Sequence, residues 1–175
     1  MVALDVNRVR SSGHCRIDLT ASRLYLMVMA TFWDADRRAD LLQRMDRVSP
    51  PRVPKWGSMN AEQMVEHVTA HLEMALGDLP VRIRPSWLAY WPLRDLIIRW
   101  LPWPKGAPTV RELLESTTAD WEQVRRHFKR TFERVVERGP HGRFAPHPVF
   151  GRMSQRLWGV LIYRHLDHHL RQFGE

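Results

Sequence analysis

The chain has almost no cysteine: of its 175 residues only Cys15 carries a thiol. A lone cysteine closes no internal disulfide, and its distance from the histidine clusters argues against a mixed Cys/His metal site. A reducing, cytoplasmic setting is therefore expected. Lysine is nearly as scarce, confined to Lys55, Lys105 and Lys129, yet Lys and Arg together number 27 against 19 Asp and Glu, for a net charge of +8. An excess carried by arginine can reflect nothing more than a GC-rich genome, so it weakens a charge-based case for nucleic acid or an anionic membrane as partner. Long apolar runs are also missing. Arg94, Asp95 and Arg99 break the stretch richest in Trp well before the ~18 residues that a bilayer span needs. The run from Leu24 to Trp33 lacks a small-x-small cleavage site and turns charged at Asp34 to Arg38, which disfavours a cleaved signal peptide. What remains is a chain 44% hydrophobic, which suits one globular domain with a real core.

Residues 1–28 show no clean period and read as a poorly ordered or extra segment ahead of a domain over 29–175. An upstream start codon, with Met27 or Met29 opening the true domain, is an alternative. From Asp34 the pattern becomes helical. Leu41, Leu42, Met45 and Val48 recur at helical spacing up to Ser49-Pro50-Pro51, which closes a first helix. Asn60-Ala61-Glu62-Gln63 offers a capping box for a second helix that runs to Gly77, with Met64, His67, Val68, His71, Leu72 and Ala75 on its inner stripe. A third helix spans about Ala119 to Arg138, with Trp121, Val124, Phe128, Phe132 and Val135 inward and Gly139-Pro140 as its stop. Ser154 is the candidate N-cap of a fourth, whose stripe is Trp158, Leu161, Ile162, His165 and His169.

Between the second and third helices lies a long connection rich in Trp and Pro. It reads as a crossover with a short amphipathic helix at Leu93 to Trp100, against a competing reading as a basic membrane-surface segment. The outer face of the third helix repeats Arg126, Arg130, Arg134 and Arg138 every four residues. Like charges so spaced mildly destabilise a helix unless acids or an anionic partner compensate. Glu122, Glu133 and Glu137 are near enough to do so, and a solvated face is favoured over a nucleic-acid surface because no recognition motif accompanies the stripe.

The pattern therefore gives an all-α, four-helix arrangement with two His-x-x-x-His pairs on inner faces. Imidazoles at i and i+4 stack on one side of a helix, roughly 6 Å apart at Cβ, which suits two ligands converging on one divalent ion. The plainer alternative is that the histidines are core residues, each needing a hydrogen-bond partner in a dry interior. His147, between Pro146 and Pro148, has a restricted backbone and is open to either a proton-donor or substrate-contact role, or to simple backbone hydrogen bonding.

Trp56-Gly57-Ser58-Met59, Glu62-Gln63-Met64-Val65-Glu66-His67, Leu101-Pro102-Trp103-Pro104-Lys105-Gly106, His147-Pro148-Val149-Phe150-Gly151 and the tract His165 to Gln172 together resemble the DinB-like superfamily, nearest one of its uncharacterised bacterial branches. That resemblance covers about Met29 onward. It implies an up-down-down-up bundle, commonly dimeric, with one divalent ion held by His67, His165 and His169. His71 and His168 lie outside the family pattern, and His71 is open to a role as fourth ligand or supporting group. Three neutral imidazoles suit Zn²⁺, Ni²⁺ or Fe²⁺, with a fourth position left open. Related members include transferases that use low-molecular-weight thiols, isomerases and hydrolases, so the resemblance implies a metal-dependent transferase or hydrolase acting on a small molecule. A non-catalytic metal-binding bundle, in stress response or protein interaction, is the competing expectation.

Overall fold

The computed structural model describes residues 30–84, 86–105 and 120–175. The expectations for residues 1–28, for Cys15, for the start of the third helix at Ala119 and for Gly106 of the Leu101 motif lie outside those residues. Five α-helices and no strands are present among the described residues: α1 (Ala35–Asp46), α2 (Ala61–Leu76), α3 (Leu93–Arg99), α4 (Trp121–Arg138) and α5 (Gln155–Gln172). A 3-10 turn at Trp87–Ala89 precedes α3. The all-α expectation holds, and the amphipathic stretch in the crossover is the short helix α3.

The sequence punctuation acts as its chemistry requires. Asn60 Oδ1 accepts from the Gln63 N–H, and Gln63 Oε1 accepts from the Asn60 N–H. Two of the four orphan donors at the start of α2 are thereby satisfied. At the other end Gly77 takes the left-handed conformation, φ 86°, that a side chain would resist. Ser154 caps α5 by accepting from the Leu157 N–H.

The most extensive helix pairing sets α2 against α4, and α5 packs against α1, α2 and α3. Apolar stripes meet between them: Met64, Val68 and Leu72 of α2, Phe128 and Phe132 of α4, and Trp158, Leu161 and Ile162 of α5 are all buried. Each such side chain contributes about 1.5–3 kcal/mol by leaving water. Phe32, ahead of α1, donates its N–H to the Gly159 carbonyl and inserts its ring against Phe132, which ties the first described residues to α4 and α5.

One polar contact fixes the rotation of α5. Asp167 is buried, and its carboxylate meets Arg44 of α1 at 2.9 Å and Arg171 at 2.9 Å. Asp167 lies between His165 and His169 in sequence, so holding it on the α1 side turns both histidines toward α2. Of the arginine stripe on α4, Arg134 pairs with Asp78 and Arg138 donates to the Leu76 carbonyl, while Arg126 and Arg130 stand exposed. Among the described residues no helix is long and apolar enough to cross a membrane.

Candidate metal centre

α2 presents His67 and His71 on its buried stripe, and α5 presents His165 and His169 on the facing one. Three of these rings converge. His67 Nε2 lies 3.1 Å from His165 Nε2, and His169 Nε2 lies 3.2 Å from the same atom. The group His67, His165 and His169 can hold a metal ion, its ligand atoms all falling within 4.8 Å of one another. Zn–N bonds of about 2.0–2.1 Å in tetrahedral geometry set nitrogen–nitrogen separations of about 3.3–3.4 Å, so the two short contacts are nearly those of a coordination shell.

Hydrogen bonding decides which atoms carry protons here. Gln172 Nε2 donates to the Trp56 carbonyl at 2.7 Å, which leaves its Oε1 to accept from His169 Nδ1 at 2.9 Å. His169 therefore carries its proton on Nδ1, and its Nε2 presents a lone pair to the centre. His165 Nε2 faces two imidazole nitrogens, but a single proton there serves one contact well at most. Its Nδ1 is buried without a hydrogen-bond partner among the described residues. Protons alone thus leave the Nε2 contacts incompletely satisfied, whereas a cation at the point of convergence would meet the His169 lone pair and take one from each of the other two rings; the His165 Nδ1 lacks a partner in either case. The donor set fits a divalent ion.

The electrostatics keep the rings in ligand form. Burial, reinforced by the neighbouring imidazoles, drives His165 well below its usual 6.5. Burial and His67 lower His169 to about 3, against the opposing hydrogen bond that it donates to Gln172. Neutral imidazole is the form that binds metal.

The other histidines fall into distinct places. His71 packs beside His165, ring centroids 4.1 Å apart, but lies outside the converging group. Burial lowers it well below 6.5, with His147, His67 and His169 adding to the effect. His147 lies beyond it, 6.3 Å from His71 and stacked on Phe150. Its Nδ1 accepts from the Val149 and Phe150 N–H groups, the backbone-bonded arrangement that was one of the two expectations. Burial pushes His147 down to about 3. His168 is half-buried between Trp56 and Trp103.

Two supporting residues had no role assigned from sequence. Gln172 lies three residues after His169, one turn on, and that spacing was the available signal. Trp103 covers His165 at 5.8 Å between ring centroids and takes the Arg164 guanidinium on its ring at 5.7 Å. Nothing in its local sequence places it there. Gly57 completes the support: its φ is 79°, and a Cβ at that position would stand 2.5 Å from Gln172 Nε2. The loop carrying the Trp56 carbonyl therefore reaches Gln172 only without a side chain at 57.

No curated protein and no solved structure matches the chain. A family described as "Protein of unknown function (DUF1569)" matches residues 31–175, a span that contains every residue of the histidine cluster and its supports. The chain belongs to that family.

Proposed function

We propose that this protein is a metal-dependent enzyme of the DinB-like superfamily, a thiol-dependent transferase or a hydrolase, with His67, His165 and His169 as the ligands of one divalent ion. The observation that carries the reading is the convergence of three buried Nε2 atoms from two helices, one of them locked as a lone-pair donor by Gln172. Zn²⁺, Ni²⁺ and Fe²⁺ are the ions suited to an all-imidazole set. When bound, such an ion supplies Lewis acidity toward water or a thiol and so lowers its pKa.

The chain's own residues prepare the place. Gln172 orients His169, and the Asp167 ion pairs with Arg44 and Arg171 hold the rotation of α5. Trp103 shields His165 from solvent, which strengthens every polar interaction beneath it. His147 keeps its proton on Nε2 because Nδ1 accepts from backbone, and it stays neutral at pH 7 as a hydrogen-bond donor. The reading extends to the whole domain. Residues 29–175 form one unit in which α1, α2, α4 and α5 make an up-down-down-up bundle, with α3 in the crossover. The pairing of α2 with α4 and of α5 with α1 and α2 supports that arrangement. The resemblance to the DinB-like superfamily favours a homodimer acting on a small-molecule substrate, and the lone Cys15 favours a reducing cytoplasm.

A second reading, a non-catalytic metal-binding bundle, is favoured by one observation. His67, His165 and His169 are only 5, 7 and 7% exposed, so a substrate reaches them only if the cover around Trp103 moves. Turnover separates the two. Metal-loaded protein is offered a low-molecular-weight thiol with an electrophile in one arm, and an activated ester in the other. Metal-dependent turnover in either arm, absent from His165→Ala, supports the enzyme; a full complement of metal with turnover in neither arm moves the conclusion to the non-catalytic bundle.

A further inference from the structure

The connection between α2 and α4 exposes several large aromatic side chains. Trp87, Tyr90 and Trp91 are 71, 73 and 77% exposed. Leu96 on α3 and Trp100 at its C-cap are 45 and 56% exposed, while Ile98 between them is fully buried. Ile83, Trp87 and Tyr90 line a common groove with Val149.

This face is held in place rather than loosely displayed. The Arg84 N–H donates to the Pro148 carbonyl, Arg94 donates to the Arg152 carbonyl, and Arg164 of α5 donates to the carbonyls of Ile98 and Leu101. A rigid, exposed apolar patch of this kind marks an interaction site.

Charge and residue type select the occupant. From 79 to 105 the sequence holds five cations, Arg82, Arg84, Arg94, Arg99 and Lys105, against one carboxylate, Asp95. Asp95 is already paired with Arg94 and Arg99. Arg84 lines the groove and Arg82, two residues before it, is likewise exposed, and no carboxylate pairs with either among the described residues. A second copy docking through the same face would set these cations against their equivalents, since a two-fold interface brings each patch onto itself. Trp and Tyr, with an apolar body and a polar edge, are the side chains that settle at the boundary between lipid headgroups and acyl chains. Arginines on the same face attract the anionic headgroups there.

We propose that the groove lined by Trp87 and Tyr90, with the exposed Trp91 next to Tyr90 in the chain, docks the protein reversibly on an anionic phospholipid surface, with Arg84 on its lining and the exposed Arg82 two residues before it as electrostatic contacts. The contact lies in the interface plane and requires no spanning segment. It also stands independently of metal binding, because none of these residues belongs to the histidine cluster.

The test uses the full chain with vesicles of phosphatidylcholine containing phosphatidylglycerol, and with phosphatidylcholine alone, at low and high salt. Binding to the anionic vesicles is expected to exceed neutral binding by about tenfold or more and to fall as salt rises. Arg82→Glu with Arg84→Glu, and separately Trp87→Ser with Trp91→Ser, should each remove it while circular dichroism stays unchanged. All four positions are exposed, so these variants test the surface without disturbing the core. Three results would overturn the proposal: no binding to anionic vesicles, equal binding to both vesicle types, or a dimer in solution that the same substitutions convert to monomer. The last would assign the face to a second copy of the chain.

Discussion

Gln172 shows how the smallest unit of the site is built. One side-chain amide spends its donor on the Trp56 carbonyl and its acceptor on His169, so a loop before α2 and the end of α5 jointly set the tautomer of a single imidazole. Removing such an outer partner typically weakens metal binding by about 10–100-fold. Gln172→Leu is therefore expected to lose affinity in that range in a competition titration against a chelator, and Gln172→Glu, which keeps an acceptor for Nδ1–H but loses the donor to the Trp56 carbonyl, to lose less. Gly57→Ala should act through the same contact and also cost roughly 1 kcal/mol or more of stability, because a left-handed residue gains a Cβ that meets Gln172. At this scale the sequence was legible where spacing alone decides geometry: His67, His71, His165 and His169 all fall on the buried sides of two helices, as i, i+4 periodicity requires, whereas the choice of His67 over His71 came from the family resemblance and not from spacing. Gln172 and Trp103 were not, since their partners are a loop carbonyl and a ring on another element, and the path of a loop is not written in any period.

Among the helices, α2 and α5 carry the histidine cluster and α1 sets the rotation of α5. The capping box at Asn60 satisfies donors that would otherwise face solvent unpaired, and Asn60→Ala is expected to cost about 1 kcal/mol in a denaturant melt. The α1–α5 contact is worth more when broken than when made. Asp167→Ala takes from the buried Arg44 its interior partner and leaves it the half-exposed Asp40 and the Glu175 carbonyl, so the cost should approach but not reach the about 3–5 kcal/mol of an interior ion pair broken to leave a bare charge. A loss below about 1 kcal/mol in the same melt would mean that Asp40 and the Glu175 carbonyl suffice for Arg44 and that α5 is not held by this pair. Helix positions and their stops were readable because caps and breakers act locally: Asn60, Gly77, Gly139 and Ser154 sit at the ends that their chemistry predicts. The Arg44–Asp167 pair escaped notice, because a charged residue on a mostly polar helix face gives no sign that a second helix will bury it.

For the molecule as a whole, a buried cluster of neutral histidines sets the response to pH. Unfolded imidazoles titrate near 6.5, while His147 and His169 in the folded protein are held to about 3 by burial. Between those values the unfolded chain binds more protons than the folded one. Stability of the metal-free protein therefore falls as pH drops below about 6.5, by roughly 1.4 kcal/mol per pH unit for each such histidine, and levels off near 3. Above 6.5 these groups contribute no slope. Thermal melts across that range check the sign: stability that rises on acidification would contradict the neutral cluster. Protons and metal compete for the same nitrogens, so bound metal should be released in the same window. The central claim is tested most directly by elemental analysis of protein purified without an affinity tag, as wild type and as His165→Ala. Ligand roles for His67, His165 and His169 require about one Zn, Ni or Fe per wild-type chain and its loss from a folded His165→Ala. A wild-type protein that holds no metal even after reconstitution, or a folded variant that keeps its full complement, would contradict it.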